Sequence, residues 1–441
     1  MIKRFLLVFA IVFGLKGYAQ LDVENASPYS YYGIGSLKFK GTVENRSMGG
    51  LSIYNDSIHV NLRNPASYAS SNLRYYNNEG RPVKFAIGGT HTSTNLKTNS
   101  NENRINSTSF DYMALSLPMG RFGVGLGIMP YTTVNYKLQS LTDFNALSTR
   151  FSGKGGVNKV FLSVGYRVMD GLSIGVDANY NFGKLENSFI RYLYDDEQNI
   201  IQYQTREQNK SQLSGFGVNL GVTYQKMIST KLELQAGLTY KPKTNINSDN
   251  ERIFETITIS SGSGAETPIN SITADLDATG LANTKLSLPS KLSFGAGIGE
   301  PRKWFAGAEL TFQNYSVFKN ELYEASNSAG NLSYEDAIGL SVGGFYIPEY
   351  NSFSSYLKRM VYRTGFRFEN TGLNINDTSI NEFGMSFGVG IPMGNFFSNA
   401  NVGFEFGRRG TLDRNLIQEN FINFQISLSL NDRWFEKRKY N

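Results

Sequence analysis

Apolar and polar residues alternate along most of this chain with a period of two, and the alternation is clearest from Lys159 to Gly183. In the first arm Val160, Leu162, Val164, Tyr166 and Val168 alternate with Lys159, Phe161, Ser163, Gly165 and Arg167. The second arm sets Leu172, Ile174, Val176, Ala178, Tyr180 and Phe182 against Ser173, Gly175, Asp177, Asn179, Asn181 and Gly183. Met169-Asp170-Gly171 joins them, because Asp and Gly tolerate the positive φ of a short hairpin. One face is continuously apolar and ends in aromatics, while the other is Gly, Ser, Asn and charge. A soluble sandwich would bury the first face against a second sheet; an outer-membrane barrel would turn it to lipid. The hairpin by itself leaves both open.

The pattern repeats, and about fourteen strands are predicted between Arg81 and Asn431. Their connections alternate in length. Pro118-Met119-Gly120, Met169-Asp170-Gly171, Met227 to Thr230, Glu300-Pro301 and Pro392 to Asn395 are short, with Pro348 to Lys358 longer. Between them fall polar segments at 92–106, 138–154, 189–210, 244–285 and 317–333, then shorter ones at 371–379 and 409–417. Short turns on one rim and long loops on the other are the signature of a barrel in the outer membrane, and a sandwich has no reason to sort loops so regularly. With an even strand number both ends of the barrel fall on the short-turn, periplasmic rim. Trp434-Phe435 then stands where an interfacial girdle belongs. The predicted fold is all-β, a transmembrane antiparallel β-barrel of about fourteen strands with an N-terminal plug.

Composition agrees. The chain has 31 Phe, 26 Tyr and 45 Gly among 441 residues, a bias that suits lipid-facing strands and close backbone contacts within. Lys3 and Arg4, the apolar run Phe5 to Leu15 and Gly17-Tyr18-Ala19 read as a secretory signal, cut before Gln20. There is no Cys, so neither a lipid anchor nor a disulfide is expected. Beyond residue 20 no apolar run approaches the ~18 residues of a helical span. Removal of Lys3, Arg4 and Lys16 takes the formal charge from +6 to near +3 (6 − 3), scattered apart from Lys437-Arg438-Lys439, and nucleic acid is not an expected partner.

From Leu21 to about Gly80 there is no clean alternation, and the segment is rich in Ser, Asn, Tyr and Gly. A compact element packed inside or beneath the barrel is expected there. It carries Met48-Gly49-Gly50, an acid at Asp56 and Asn64-Pro65-Ala66 just ahead of the strands. These features, with the closing pattern from Tyr362-Arg363-Thr364-Gly365 to Trp434-Phe435, resemble the FadL family of outer-membrane transporters of long-chain fatty acids and other hydrophobic compounds. The resemblance implies a fourteen-stranded barrel in the outer membrane of a Gram-negative bacterium, plugged from the periplasmic side by an N-terminal hatch that bears the Asn-Pro-Ala motif. It divides the chain into a signal peptide (1–19), hatch (20–80), barrel (81–435) and basic periplasmic tail (436–441). Leu62-Arg63, where an apolar aromatic is expected, departs from the family. Independently of it, Pro65 biases Asn64 away from helix and fixes a bend that the Asn64 amide can tie to the wall. Gly49 and Gly50 permit close approach or positive φ. Whether this cork moves or is static stays open.

The transport route implied by the resemblance runs from outer loops through the lumen, with release past the hatch or sideways through a gap in the wall. Met129-Pro130 marks the candidate opening, since Pro cannot donate to a ladder; a strand end at the outer rim is the other reading. Parity turns Arg167, Arg363 and Arg367 inward with Asp177, Glu233, Glu309, Glu369, Glu382 and Glu405. Arg363 or Arg367 is the candidate contact for a ligand carboxylate, and pairing with the inward acids is the alternative. Two His, no Cys and no clustered carboxylates give no catalytic, metal or cofactor motif. The expected partners are outer-membrane lipid and a hydrophobic small molecule. The competing function is a non-transporting barrel that serves as subunit or adaptor in an outer-membrane secretion or assembly complex, its loops docking another protein.

Overall fold

Fourteen antiparallel strands close on themselves in a computed structural model that describes residues 27–56, 58–69, 82–260, 264–324, 332–393 and 398–432. They are β1 (Val83–Lys97), β2 (Glu102–Met119), β3 (Phe122–Leu141), β4 (Leu147–Met169), β5 (Leu172–Arg191) and β6 (Gln204–Met227). There follow β7 (Glu233–Lys241, resumed as Thr244–Ile259), β8 (Asn283–Leu288, resumed as Lys291–Glu300), β9 (Trp304–Gln313) and β10 (Ala337–Tyr346). The last four are β11 (Val361–Ile375), β12 (Thr378–Met393), β13 (Ser398–Arg409) and β14 (Gln418–Asp432). β7 and β8 break at Pro242 and Pro289, which lack the donor a ladder needs. β14 pairs with β1 from Gln418 opposite Lys97 to Asp432 opposite Val83, so the barrel is closed. The expected signal peptide, Trp434-Phe435 and the basic tail lie outside the described residues.

The period-two pattern sets inside and outside as it predicts. Leu162 and Val176 are 53% and 48% exposed, whereas Ser163 and Asp177 on the same two strands are 1% and 3% exposed. Leu220, Phe294, Val342, Phe387 and Ile426 continue the exposed apolar band around the wall. Such a surface is stable against acyl chains and not against water. The short turns are as expected, with Gly120 and Gly171 at φ of +60° and +87°.

The polar segments differ from their expectation. Much of 92–106, 138–154, 189–210 and 244–285 is strand rather than loop: β4, β5 and β6 run 23, 20 and 24 residues, where a tilted membrane strand needs ~10. The excess projects beyond the bilayer on the long-loop rim. Along these extensions buried apolar residues such as Leu185, Ile190, Leu213, Ile246 and Ile257 stand among Ser, Asn, Gln and charged residues, so the sequence loses its clean alternation while the ladder continues.

The N-terminal segment lies within the barrel as irregular chain, with short helical turns at Pro28–Tyr31, Val43–Arg46 and Pro65–Ala69. Its one strand among the described residues, Ser36–Leu37, pairs with Thr133 and Thr132 of β3.

Candidate functional site

The Asn-Pro-Ala bend is held on both sides. Asn64 Nδ2 donates to the Val222 carbonyl of β6 at 3.0 Å, and Asn64 Oδ1 accepts from the Ala66 N–H at 3.1 Å, which sets the turn into Pro65–Ala69. The wall opposite is glycine because backbone lies against it. A Cβ at Gly175 would sit 2.4 Å from Ala66 N, one at Gly221 2.2 Å from Asn64 Oδ1, and one at Gly125 2.1 Å from the Tyr68 ring. Side-chain contacts that short do not occur, so β3, β5 and β6 carry a recess cut to the hatch.

Met48-Gly49-Gly50 forms the second seat. Gly49 and Gly50 take φ of +71° and +88°, and the Gly49 N–H donates to Ser386 Oγ of β12 at 3.0 Å. Gly343 and Gly365 on β10 and β11 face it, where a Cβ would meet Met48 O at 2.4 Å and Gly49 N at 2.1 Å. Beside this seat Met48, Leu51 and Ile53 pack with Phe305, Phe345 and Ile347 of the wall.

Charge fastens the hatch between the two seats. Lys40 pairs with Glu382, Arg46 bridges Asp111 at 3.3 Å and Glu405 at 3.2 Å, and Arg63 meets Glu309 at 2.7 Å. A β-bulge between Gly88 and Gly89 of β1 makes Asp111 the extra residue of β2 and lets it turn inward to Arg46. Glu309 also accepts from the Ser52 N–H and Ser52 Oγ at 2.7 Å each. Glu44 of the hatch accepts from Asn401 at 2.6 Å, Ser427 at 3.1 Å and Ser429 at 3.3 Å. Glu382 and Glu405 are 1% and 3% exposed.

Arg367, one of the two candidate ligand contacts, donates to Glu405 at 2.7 Å and pairs with Glu382, itself shared with Lys40 and Arg409. Arg363, the other, donates to Asn401 Oδ1 at 3.0 Å and borders a polar cavity of about 20 Å³ with Glu44, Asp56 and His59. That is room for one water molecule. Asp56 accepts from the Ile58 and His59 N–H groups at 2.9 and 2.7 Å and meets His59 Nδ1 at 2.7 Å. Burial alone raises the Asp56 carboxyl, but the His59 ring and Lys84 outweigh it and hold the group well below the usual carboxylate range.

Pro130 is neither a strand end nor at the rim. It lies within β3, at a bulge against β4 between Pro130 and Thr132. β2 and β3 pair only from Met119 opposite Phe122 to Met113 opposite Ile128, so the ladder between them stops two residues short of Pro130. The hatch covers the edge that β3 leaves: besides Ser36–Leu37, the Lys38 N–H donates to the Tyr131 carbonyl at 3.0 Å and the Ser27 N–H to that of Asn135 at 3.2 Å.

Above the hatch the inward side chains form an apolar core of Val134, Val157, Leu185, Leu213 and Ile246, each at most 4% exposed. Ile34 enters this core from the hatch and Phe318 from the turn after β9, and Tyr31 packs against it. Phe161, on the inward row of β4, packs with Tyr68, Tyr112 and Met129. Sequence reasoning missed Phe318 and the exact glycine recesses. Phe318 sits in a polar stretch with no periodicity, and the recesses are legible only once strand partners are known.

A plugged barrel of fourteen strands with an Asn-Pro-Ala hatch is the FadL-like architecture. Solved structures that share it include the toluene transporter TbuX of Ralstonia pickettii (TM-score 0.55, 14% identity, 89% of this chain and 98% of that one), the toluene transporter TodX of Pseudomonas putida (0.56, 14%, 90% and 100%) and a FadL homologue of Pseudomonas aeruginosa (0.54, 13%, 90% and 99%). At such identity they are similar to this chain in fold alone. No curated protein sequence matches it. The BamG family model matches residues 1–441, and the chain belongs to the BamG family.

Proposed function

We infer that this protein is a non-transporting barrel subunit of an outer-membrane protein assembly complex, with residues 20–80 as a fixed cork and 81–435 as its membrane wall. Membership in a family named for the Bam machinery supports the setting. The observation that carries the reading is the seated hatch: three hatch cations, Lys40, Arg46 and Arg63, each meet a buried wall carboxylate. Breaking one such pair without replacement costs about 3–5 kcal/mol. A gate open even 1% of the time has only ~2.7 kcal/mol to spend in all. The cork therefore suits a scaffold whose loops and wall face partners.

The test is depletion of the protein in its own cell. The folded, heat-modifiable forms of other outer-membrane barrels should fall several-fold, while uptake of labelled toluene or a long-chain fatty acid stays unchanged. Loss of uptake with normal barrel assembly would refute the reading.

A second reading rests on the gap between β2 and β3 beside Pro130 and on the fold shared with toluene transporters. Hydrophobic cargo would leave sideways at Met129-Pro130, with Arg363 as the contact for any carboxylate. The hatch would first have to release the edge of β3. Pro130→Ala, which restores a ladder donor, should then reduce uptake; unchanged uptake of every hydrophobic compound tested removes this reading.

A further inference from the structure

The connection from β10 to β11 is the longest on the short-turn rim, and it is ordered by its own contacts. The Ile347 N–H donates to the Lys303 carbonyl at 2.7 Å, the Glu349 N–H to the Lys358 carbonyl at 2.9 Å, and the Ser352 N–H to the Glu349 carbonyl at 3.2 Å. Tyr356 reaches across to the Pro392 carbonyl at 2.5 Å, and Tyr362 donates to the Leu357 carbonyl at 3.0 Å. Ile347 and Tyr350 fold inward onto the same apolar cluster as Met48, Leu51 and Ile53 of the hatch. Ser352 is 2% exposed. The next residue, Phe353, is 104% exposed, so its ring touches nothing in a loop where its neighbour is buried.

An uncovered ring on an ordered tip has the form of an interface anchor, since aromatic anchors dominate binding when a partner's pocket desolvates them. Three serines, Ser352, Ser354 and Ser355, flank it, while Ile347 and Tyr350 of the same loop turn toward the hatch. This loop and the Glu300–Lys303 turn carry Arg302, Lys303, Lys358 and Arg359 against Glu300 and Glu349; Lys303 pairs with Glu300 at 3.0 Å and Lys358 with Glu349 at 3.3 Å, which leaves Arg302 and Arg359 as the net +2 (4 − 2). We propose that Phe353 is the anchor of a periplasmic docking loop, and that its occupant is a folded protein domain offering an apolar pocket with an acidic rim. The inference rests on the assembly-complex reading and names the surface through which the subunit is held from below.

The experiment uses the full chain in its native outer membrane with Phe353→p-benzoylphenylalanine. Irradiation is expected to give a crosslink that peptide mapping locates in an apolar, acid-rimmed pocket of a periplasmic domain. Phe353→Ala should lower recovery of that partner at least tenfold with the barrel still heat-modifiable, and Phe353→Trp should keep it. Crosslinks only to lipid or to a second copy of this chain overturn the proposal, as does equal partner recovery with Phe353→Ala. If wild-type protein brings down the assembly machinery but position 353 is silent, this inference alone fails. If wild-type protein brings down none of that machinery, the assembly reading fails.

Discussion

Gly365→Ala adds one methyl group on β11 and should unseat part of the hatch. The new Cβ would lie 2.1 Å from Gly49 N and 2.2 Å from Met48 C, both backbone atoms. Ordinary contact begins at 3.4 Å, so one backbone must move by about 1.3 Å (3.4 − 2.1). The strand is fixed by ladders to β10 and β12, so the hatch is what yields. Overpacking of this kind costs about 1–3 kcal/mol, and loss of the Gly49 bond to Ser386 adds ~1 kcal/mol. Gly339→Ala on the neighbouring β10 is the control, because a Cβ there finds its nearest atom at 3.6 Å. Limited proteolysis of detergent-solubilised protein, followed at the hatch by mass spectrometry, measures the effect. Cleavage between residues 40 and 60 should accelerate roughly thirty- to a thousandfold for Gly365→Ala, following the population of the open form, and not for Gly339→Ala. Equal protection in both variants would refute the claim that these glycines shape the hatch seat.

Three further outcomes follow from the same geometry. Glu382→Gln removes the shared partner of Lys40, Arg367 and Arg409 and should destabilise the protein by about 3–5 kcal/mol, read as a lower urea midpoint in micelles. Asn64→Ala loses the bond to the Val222 carbonyl and should weaken the hatch seat by ~1–2 kcal/mol, seen as faster amide exchange at 64–69 with an unchanged thermal transition of the barrel. Because the folded Asp56 carboxyl lies below its ordinary value, its stabilising contribution is complete above about pH 4 and disappears as pH falls through the lower folded value. Amide protection at 58–61 should therefore stay flat from pH 7 to pH 4; a decline already under way between pH 7 and pH 5 would rule out this account of Asp56.

The wall was legible because lipid on one side and a packed interior on the other force strict alternation, and all fourteen strands lie where the pattern puts them. The inward Glu309, Glu382, Glu405 and Arg367 followed from parity alone. Their partners did not, since Lys40, Arg46 and Arg63 lie in a segment without period, and only the closed barrel brings Arg46 beside residues 65 and 359 positions away. The length of β4 to β7 was lost for a different reason: in their extensions a few buried residues such as Leu185, Leu213 and Ile246 are scattered among Ser, Thr, Asn and charge, and a ladder of that composition reads as loop.

What separates a carrier from a scaffold on this fold is the inward row, not the outward one. A lumen that passes hydrocarbon must offer apolar room along its path. Here β5 presents Asp177, Asn179 and Asn181, each at most 3% exposed and joined in a chain, with Asn181 donating to Asn179 at 3.0 Å and Asn179 to Asp177 at 2.7 Å. Ser163 donates to the same Asp177 at 2.9 Å. Any apolar molecule that displaced one link would leave a buried donor or acceptor unmatched at about 1–3 kcal/mol each. Glycine recesses, hatch cations and this polar chain all act in one direction: they hold the N-terminal segment in the lumen, as the scaffold reading proposed above requires.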